Sequence, residues 1–96
     1  MIQAERIARA GDVVRFEARL HVDGESSAVQ HVFHVEVLDP QGRQVPPYAS
    51  NQVAVGVCTF EIPFAFSDAE GRWTVVVRDI ATGMTGRTSI ELKPSL

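Results

Sequence analysis

The sequence predicts an all-β fold in which short antiparallel strands form two sheets over one apolar core. Two patterns predict it. Turn-forming residues recur at intervals of about ten residues, the spacing of sandwiches and barrels. Between the turns, apolar residues fall on every second position, as a strand with one buried face requires. The turns are Gly11-Asp12, Asp23-Gly24, Asp39-Pro40-Gln41-Gly42, Pro46-Pro47, Ser67 to Gly71 and Ala81-Thr82-Gly83.

Residues 2–9 come first and fit two patterns. Ala4, Ile7 and Ala8 match helical spacing, yet the segment also suits a first strand or a linker. The strand is favoured, because an isolated helix of this length gains too few hydrogen bonds to offset its nucleation cost. From Val14 to Val22 the even positions (Val14, Phe16, Ala18, Leu20, Val22) are apolar, and Arg15, Glu17, Arg19 and His21 point the other way. From Gln30 to Leu38, Phe33, Val35 and Val37 face inward opposite His34 and Glu36. Val53 and Val55 suggest a short strand after the Pro46-Pro47-Tyr48 loop. From Cys58 to Phe66 the inward set is Cys58, Phe60, Ile62, Phe64 and Phe66. Pro63 breaks that run, and because proline cannot donate to a ladder it argues for an edge or a bulge. Trp73, Val75 and Val77 then face inward, and Thr88, Ile90 and Leu92 do so in the last run, Thr85 to Lys93. Counting both uncertain segments gives seven strands in a single domain, 1–96.

Composition narrows the function classes. Ninety-six residues make room for one core, and 45% hydrophobic with 22% charged residues is a globular balance. The net charge of −3, with basic residues scattered among acids, gives no concentrated basic face for nucleic acid. No run reaches the ~18 apolar residues of a membrane span. A single cysteine, Cys58, excludes an internal disulfide. Glu5, Arg6 and Arg9 interrupt the only candidate secretory leader, so the chain reads either as cytosolic or as a module of a longer protein.

Three stretches, "AGDVVRFEARL" (10–20), "FHVEVLDPQGRQV" (33–45) and "DAEGRWTVVVRDIATG" (68–83), together resemble a known group. They look like the immunoglobulin-like and macroglobulin-type β-sandwich modules of large secreted or surface-bound bacterial proteins. In that group a Gly-Asp turn opens a strand and a later strand ends in Asp-Pro-x-Gly. A Gly-x-Trp/Tyr strand then runs to Asp and a Thr-Gly turn. The resemblance implies an immunoglobulin-like β-sandwich of about seven strands and an extracytoplasmic location. It also implies that Trp73 plugs the core where the chain crosses between sheets, and that Asp79 caps the 81–83 turn. The chain lacks the inter-sheet cysteine pair of antibody domains and any thioester sequence, so no trapping chemistry carries over.

Each candidate site also has a plainer role. His21 and His34 share an outward parity, with Glu36 nearby, and could contribute to a metal site; solvated polar positions are the expected role, and no metal or cofactor is expected. His31 shares the parity of Phe33 and is expected at the rim of its strand. Ser67, His34 and Asp68 can be assembled into a triad on paper, yet nothing resembles a nucleophile elbow or an oxyanion hole. The acids fall on exposed positions or turns, where burial does not tune them for glycoside chemistry. Cys58 lies on an apolar face and reads as a small buried hydrophobe. The five phenylalanines and Trp73 take inward parities, which leaves Tyr48 as the one ring expected in the open, a possible sugar contact in the 46–52 loop.

The expected role is therefore a non-catalytic accessory module of a larger bacterial protein. It would serve in spacing, in packing against a neighbouring domain or in self-association. A carbohydrate-binding module on the same scaffold is the alternative.

Overall fold

A computed structural model describes residues 2–3, 7–19 and 30–94, with the backbone alone for residues 2–3. Its strands are β1 (Ile2–Gln3), β2 (Ile7–Arg9), β3 (Val13–Arg19), β4 (His31–Leu38), β5 (Ser50–Ala54), β6 (Val57–Pro63), β7 (Gly71–Asp79) and β8 (Thr85–Lys93). Among the described residues the only helical element is a 3-10 turn, Pro46–Tyr48. The fold is all-β, as the alternation predicts.

Two sheets result, one of order β1-β3-β6 and one of order β2-β8-β7-β4-β5. Every pairing is antiparallel except that of β2, which lies parallel to β8. The segment expected to form one first strand is thus two short ones. Ile2 pairs with Ala18 in one sheet, whereas Ile7 pairs with Glu91 in the other. The described residues hold eight strands where seven were expected, because Ile2–Gln3 and Ile7–Arg9 join different sheets.

The inward faces of both sheets share one core. Val14, Phe16, Phe60 and Ile62 come from the smaller sheet, and Val35, Val37, Trp73, Val75, Ile90 and Leu92 from the larger. Phe16 and Phe60 are cross-strand partners whose rings stack with centroids 5.3 Å apart. Each buried side chain of this size contributes roughly 1.5–3 kcal/mol relative to exposure.

Pro63 ends β6, which is an edge strand among the described residues, in keeping with its missing donor. The strand does not run on to Phe66. The chain leaves the sheet at Pro63, and Phe66 is 78% exposed instead of in the core. Once the extended run ends, the period-two rule no longer governs which way a side chain points. The Phe66 ring lies instead over Gly11, where a Cβ would come within 2.4 Å of Cε1. Gly11 also holds a φ of +94°, a conformation that glycine adopts without steric cost. Leu20, His21, Val22 and the Asp23-Gly24 turn lie outside the described residues.

Candidate interaction surface

Two ends of β7 carry the side chains that the sequence singles out. At its start Trp73 is 2% exposed, and the chain has just crossed from the smaller sheet to the larger. Its indole N–H donates to the carbonyl of Ala69 at 2.8 Å, which satisfies the one polar atom this ring brings inside. Phe64 meets it edge-on at 5.3 Å between centroids. Tyr48 completes the group, 5.7 Å from Phe64 and 6.2 Å from Trp73.

This placement changes the reading of Tyr48. The ring is half-buried against the core rather than open. Its hydroxyl donates to Asp68 Oδ2 and accepts the Ala65 N–H at 3.0 Å. Ala65 N–H also reaches Asp68 Oδ2 at 2.8 Å, so Tyr48 fastens the 3-10 turn to the β6–β7 connection. Burial, then the Asp68 carboxylate, raises the phenol above its ordinary value. Phe66 is the ring left in the open, and sequence parity hides it because parity assigns it to a strand.

At the other end of β7, Asp79 is 1% exposed. Thr82 Oγ1 donates to its Oδ2 at 2.6 Å, and the Ala81 N–H approaches Oδ1 at 3.4 Å, so the turn cap implied by the resemblance is present. His31 supplies a further partner: Nδ1 stands 3.1 and 3.0 Å from the two carboxylate oxygens. Burial by itself would raise this carboxyl. The Thr82 hydroxyl, then the His31 ring and the Ala81 N–H, outweigh it and hold Asp79 below the usual carboxylate range. An ionised carboxylate only accepts, so His31 Nδ1 carries the proton.

His31 was expected at the rim of its strand and is instead buried at the start of β4. The register explains the pairing. Phe33 opposes Asp79, which makes His31 a diagonal neighbour of Asp79 on the inward face. The signal was present in the parity, since two polar residues point inward from strands that could be neighbours.

The outward face of the larger sheet is a lattice of mixed side chains. Asn51, His34, Arg78 and Thr85 form one row, Val53 and Val32 the next, and Glu36, Val76 and Arg87 another. His34 Nδ1 meets Asn51 Oδ1 at 2.8 Å and its Nε2 meets Glu36 Oε1 at 3.3 Å. Beside them runs a shallow groove of about 230 Å³, floored by Val37, Val45, Pro46 and Ala49. Glu36 faces it with Oε2 taken by Gln44 at 3.4 Å. The groove therefore offers apolar contact and no free nucleophile.

No hydrogen bond joins Ser67, His34 and Asp68, each of the latter two being bonded elsewhere. Among the described residues no three His, Cys, Asp or Glu side chains gather as a metal would require. His21 lies outside the described residues. Cys58 is buried on the inward face of β6, and burial raises its thiol pKa, so the thiolate is disfavoured. Every buried side-chain nitrogen or oxygen among the described residues has a hydrogen-bond partner. Compared with known proteins, the chain matches no family model and no curated protein.

Proposed function

We propose that this chain is an immunoglobulin-like β-sandwich acting as a non-catalytic interaction module of a larger bacterial protein. It works by packing a sheet face or edge against a neighbouring domain or a second copy. Immunoglobulin-like sheets carry strands A-B-E-D and C-F-G. The order β1-β3-β6 reads as A-B-E, and β5-β4-β7-β8 reads as C′-C-F-G, which supports the fold. The described residues hold no D strand, and the first strand is divided between the sheets.

The observation that carries the role is how the side chains are committed. The inward large residues fill the core and the buried polar groups satisfy one another. Among the described residues, exposed apolar side chains stand on the outer face of the larger sheet, at Val32 and Val53, and on the smaller sheet, at Val13 and Val57. A mixed polar and apolar face of that kind suits a wet interface of modest size.

Expression of the chain with its flanking reading frame, followed by amide-shift mapping, tests the role. Shifts confined to a sheet face or edge on adding the neighbouring segment are the expected result. Turnover of a chromogenic ester, phosphoester or glycoside, lost on substituting His34 or Glu36, would overturn it. Glycan-array binding that disappears in Tyr48→Ala would instead support the carbohydrate alternative.

A further inference from the structure

Basic residues are scattered along the sequence, but the register of β7 and β8 gathers several of them. At the outward positions of these two strands stand Arg72, Arg78, Arg87 and Lys93, with Glu91 as the single acid. A chain of net charge −3 thus carries a cationic stripe on its larger sheet. All four basic side chains are exposed, and among the described residues none is in an ion pair. Two other arginines are paired, Arg19 with Glu17 at 2.6 Å and Arg43 with Asp39 at 3.3 Å.

Arg78 faces Thr85 and Val76 faces Arg87, so Arg78 and Arg87 are diagonal neighbours, roughly 7–8 Å apart and within reach of each other. Like charges so placed repel, and an anion held between them removes that cost. Glu36, the acid in the same row on β4, is bonded to His34 and Gln44. Further along the stripe Thr74 faces Ser89, and Arg72 faces Glu91. Here Arg72, Thr88, Ser89 and Glu91 line a hollow of about 420 Å³. The outward rows therefore run from guanidinium, through hydroxyls, to guanidinium again, at intervals of roughly 7 Å.

We propose that this stripe binds an extended acidic polypeptide segment with carboxylates on alternate residues. Charge and spacing select it together. Guanidinium groups take carboxylates bidentately, and unpaired ones have that capacity free. Alternate side chains of an extended strand also lie roughly 7 Å apart, so successive carboxylates meet the Arg78 and Arg87 rows. A third carboxylate, four residues beyond the second, reaches Arg72, while Thr74 and Ser89 offer hydroxyls to the stretch between. Single-stranded nucleic acid is held by stacking on aromatic rings, and the outward positions of the larger sheet carry no Phe, Tyr or Trp among the described residues. A second copy docked face to face would set guanidiniums against guanidiniums.

This inference rests on the interaction-module reading and names the chemistry of the partner, an acidic stretch of a neighbouring domain. Titration of the 96-residue chain with a synthetic peptide of alternating glutamate and serine, at about 20 mM salt, reads it by NMR. The expected result is shifts confined to β7 and β8 with a Kd below about 1 mM. Arg78→Gln and Arg87→Gln each weaken binding about two- to fivefold without lowering the melting temperature. Arg15→Gln, an exposed cation on the smaller sheet, leaves it unchanged. A peptide with glutamate at every third position binds more weakly. Absence of shifts overturns the inference, as does equal loss in Arg15→Gln, which would mean general charge attraction. Tighter binding of single-stranded DNA or a sulfated polysaccharide overturns the choice of partner. So does a gain in affinity when Asp23→Asn and Glu25→Gln are combined, since those acids would then hold the stripe from within the chain. If the flanking segment shifts amides on another face while the peptide shifts none here, the inference fails and the module reading stands.

Discussion

The Nδ1 of His31 lies 3.1 and 3.0 Å from the two carboxylate oxygens of Asp79, both residues buried, one opening β4 and the other closing β7. The same carboxylate receives the Thr82 hydroxyl. One charged group therefore joins two neighbouring strands to the turn that starts β8. Removing the carboxylate leaves the buried His31 Nδ1–H and the Thr82 hydroxyl without their acceptor, which costs about 1–3 kcal/mol. Asp79→Ala is expected to lose that much in urea unfolding, and Thr82→Val about 1–2 kcal/mol.

The pair also sets a pH dependence. Asp79 is held below its unfolded value of about 3.9. Its contribution is fully present above that value and is lost as pH falls through the folded pKa. Asp39 is depressed too, first by the Arg43 backbone N–H, so the wild type alone does not isolate Asp79. The comparison with Asp79→Asn does. Below about pH 4 the wild-type melting temperature is expected to fall more steeply than that of the variant. Parallel curves would show that Asp79 is not held ionised by its neighbours.

At the opposite end of β7, Tyr48→Phe keeps the ring against Phe64 and Trp73 and removes only the hydroxyl that links Asp68 and Ala65. A loss of about 1 kcal/mol is expected. Tyr48→Ala also removes the packing and is expected to cost about 3–5 kcal/mol less the half of the ring already in water, hence nearer 2–3. Equal losses in the two variants would mean the ring contributes nothing.

Two phenylalanines separate the core from the surface. Phe16 is fully buried and stacks on Phe60, so Phe16→Ala is expected to cost about 3–5 kcal/mol. Phe66 covers only the Gly11 turn, and Phe66→Ala is expected to cost less than about 1 kcal/mol in the same unfolding assay.

Much of this architecture is legible from alternation alone. Phe33, Val35 and Val37, or Trp73, Val75 and Val77, keep strict parity because one face of a regular strand meets the core. Parity fails where the strand stops being regular. Past Pro63 the chain turns out of the sheet, Phe64 still reaches the core, and Phe66 does not. The sheet change between Gln3 and Ile7 is equally invisible, since a strand that switches partners keeps the same local pattern.

The polar sites divide along a similar line. Asp79 as a turn cap is local, formed with Ala81 and Thr82 only two and three residues away, and short-range turn chemistry suggests it. The link to His31 is 48 residues long and depends on which strands are neighbours. Tyr48 looks exposed from its prolines, yet the 3-10 turn those prolines begin swings its ring onto Phe64. Neither outcome follows from residue type.

The indole of Trp73 offers the most direct measurement, because it is the chain's single tryptophan and is 2% exposed. If the apolar residues are consumed in filling the space between the sheets, its native emission is blue-shifted and barely quenched by iodide, and both properties vanish on unfolding. Red-shifted emission with free quenching in the folded protein would place the ring in an open cleft and contradict that packing.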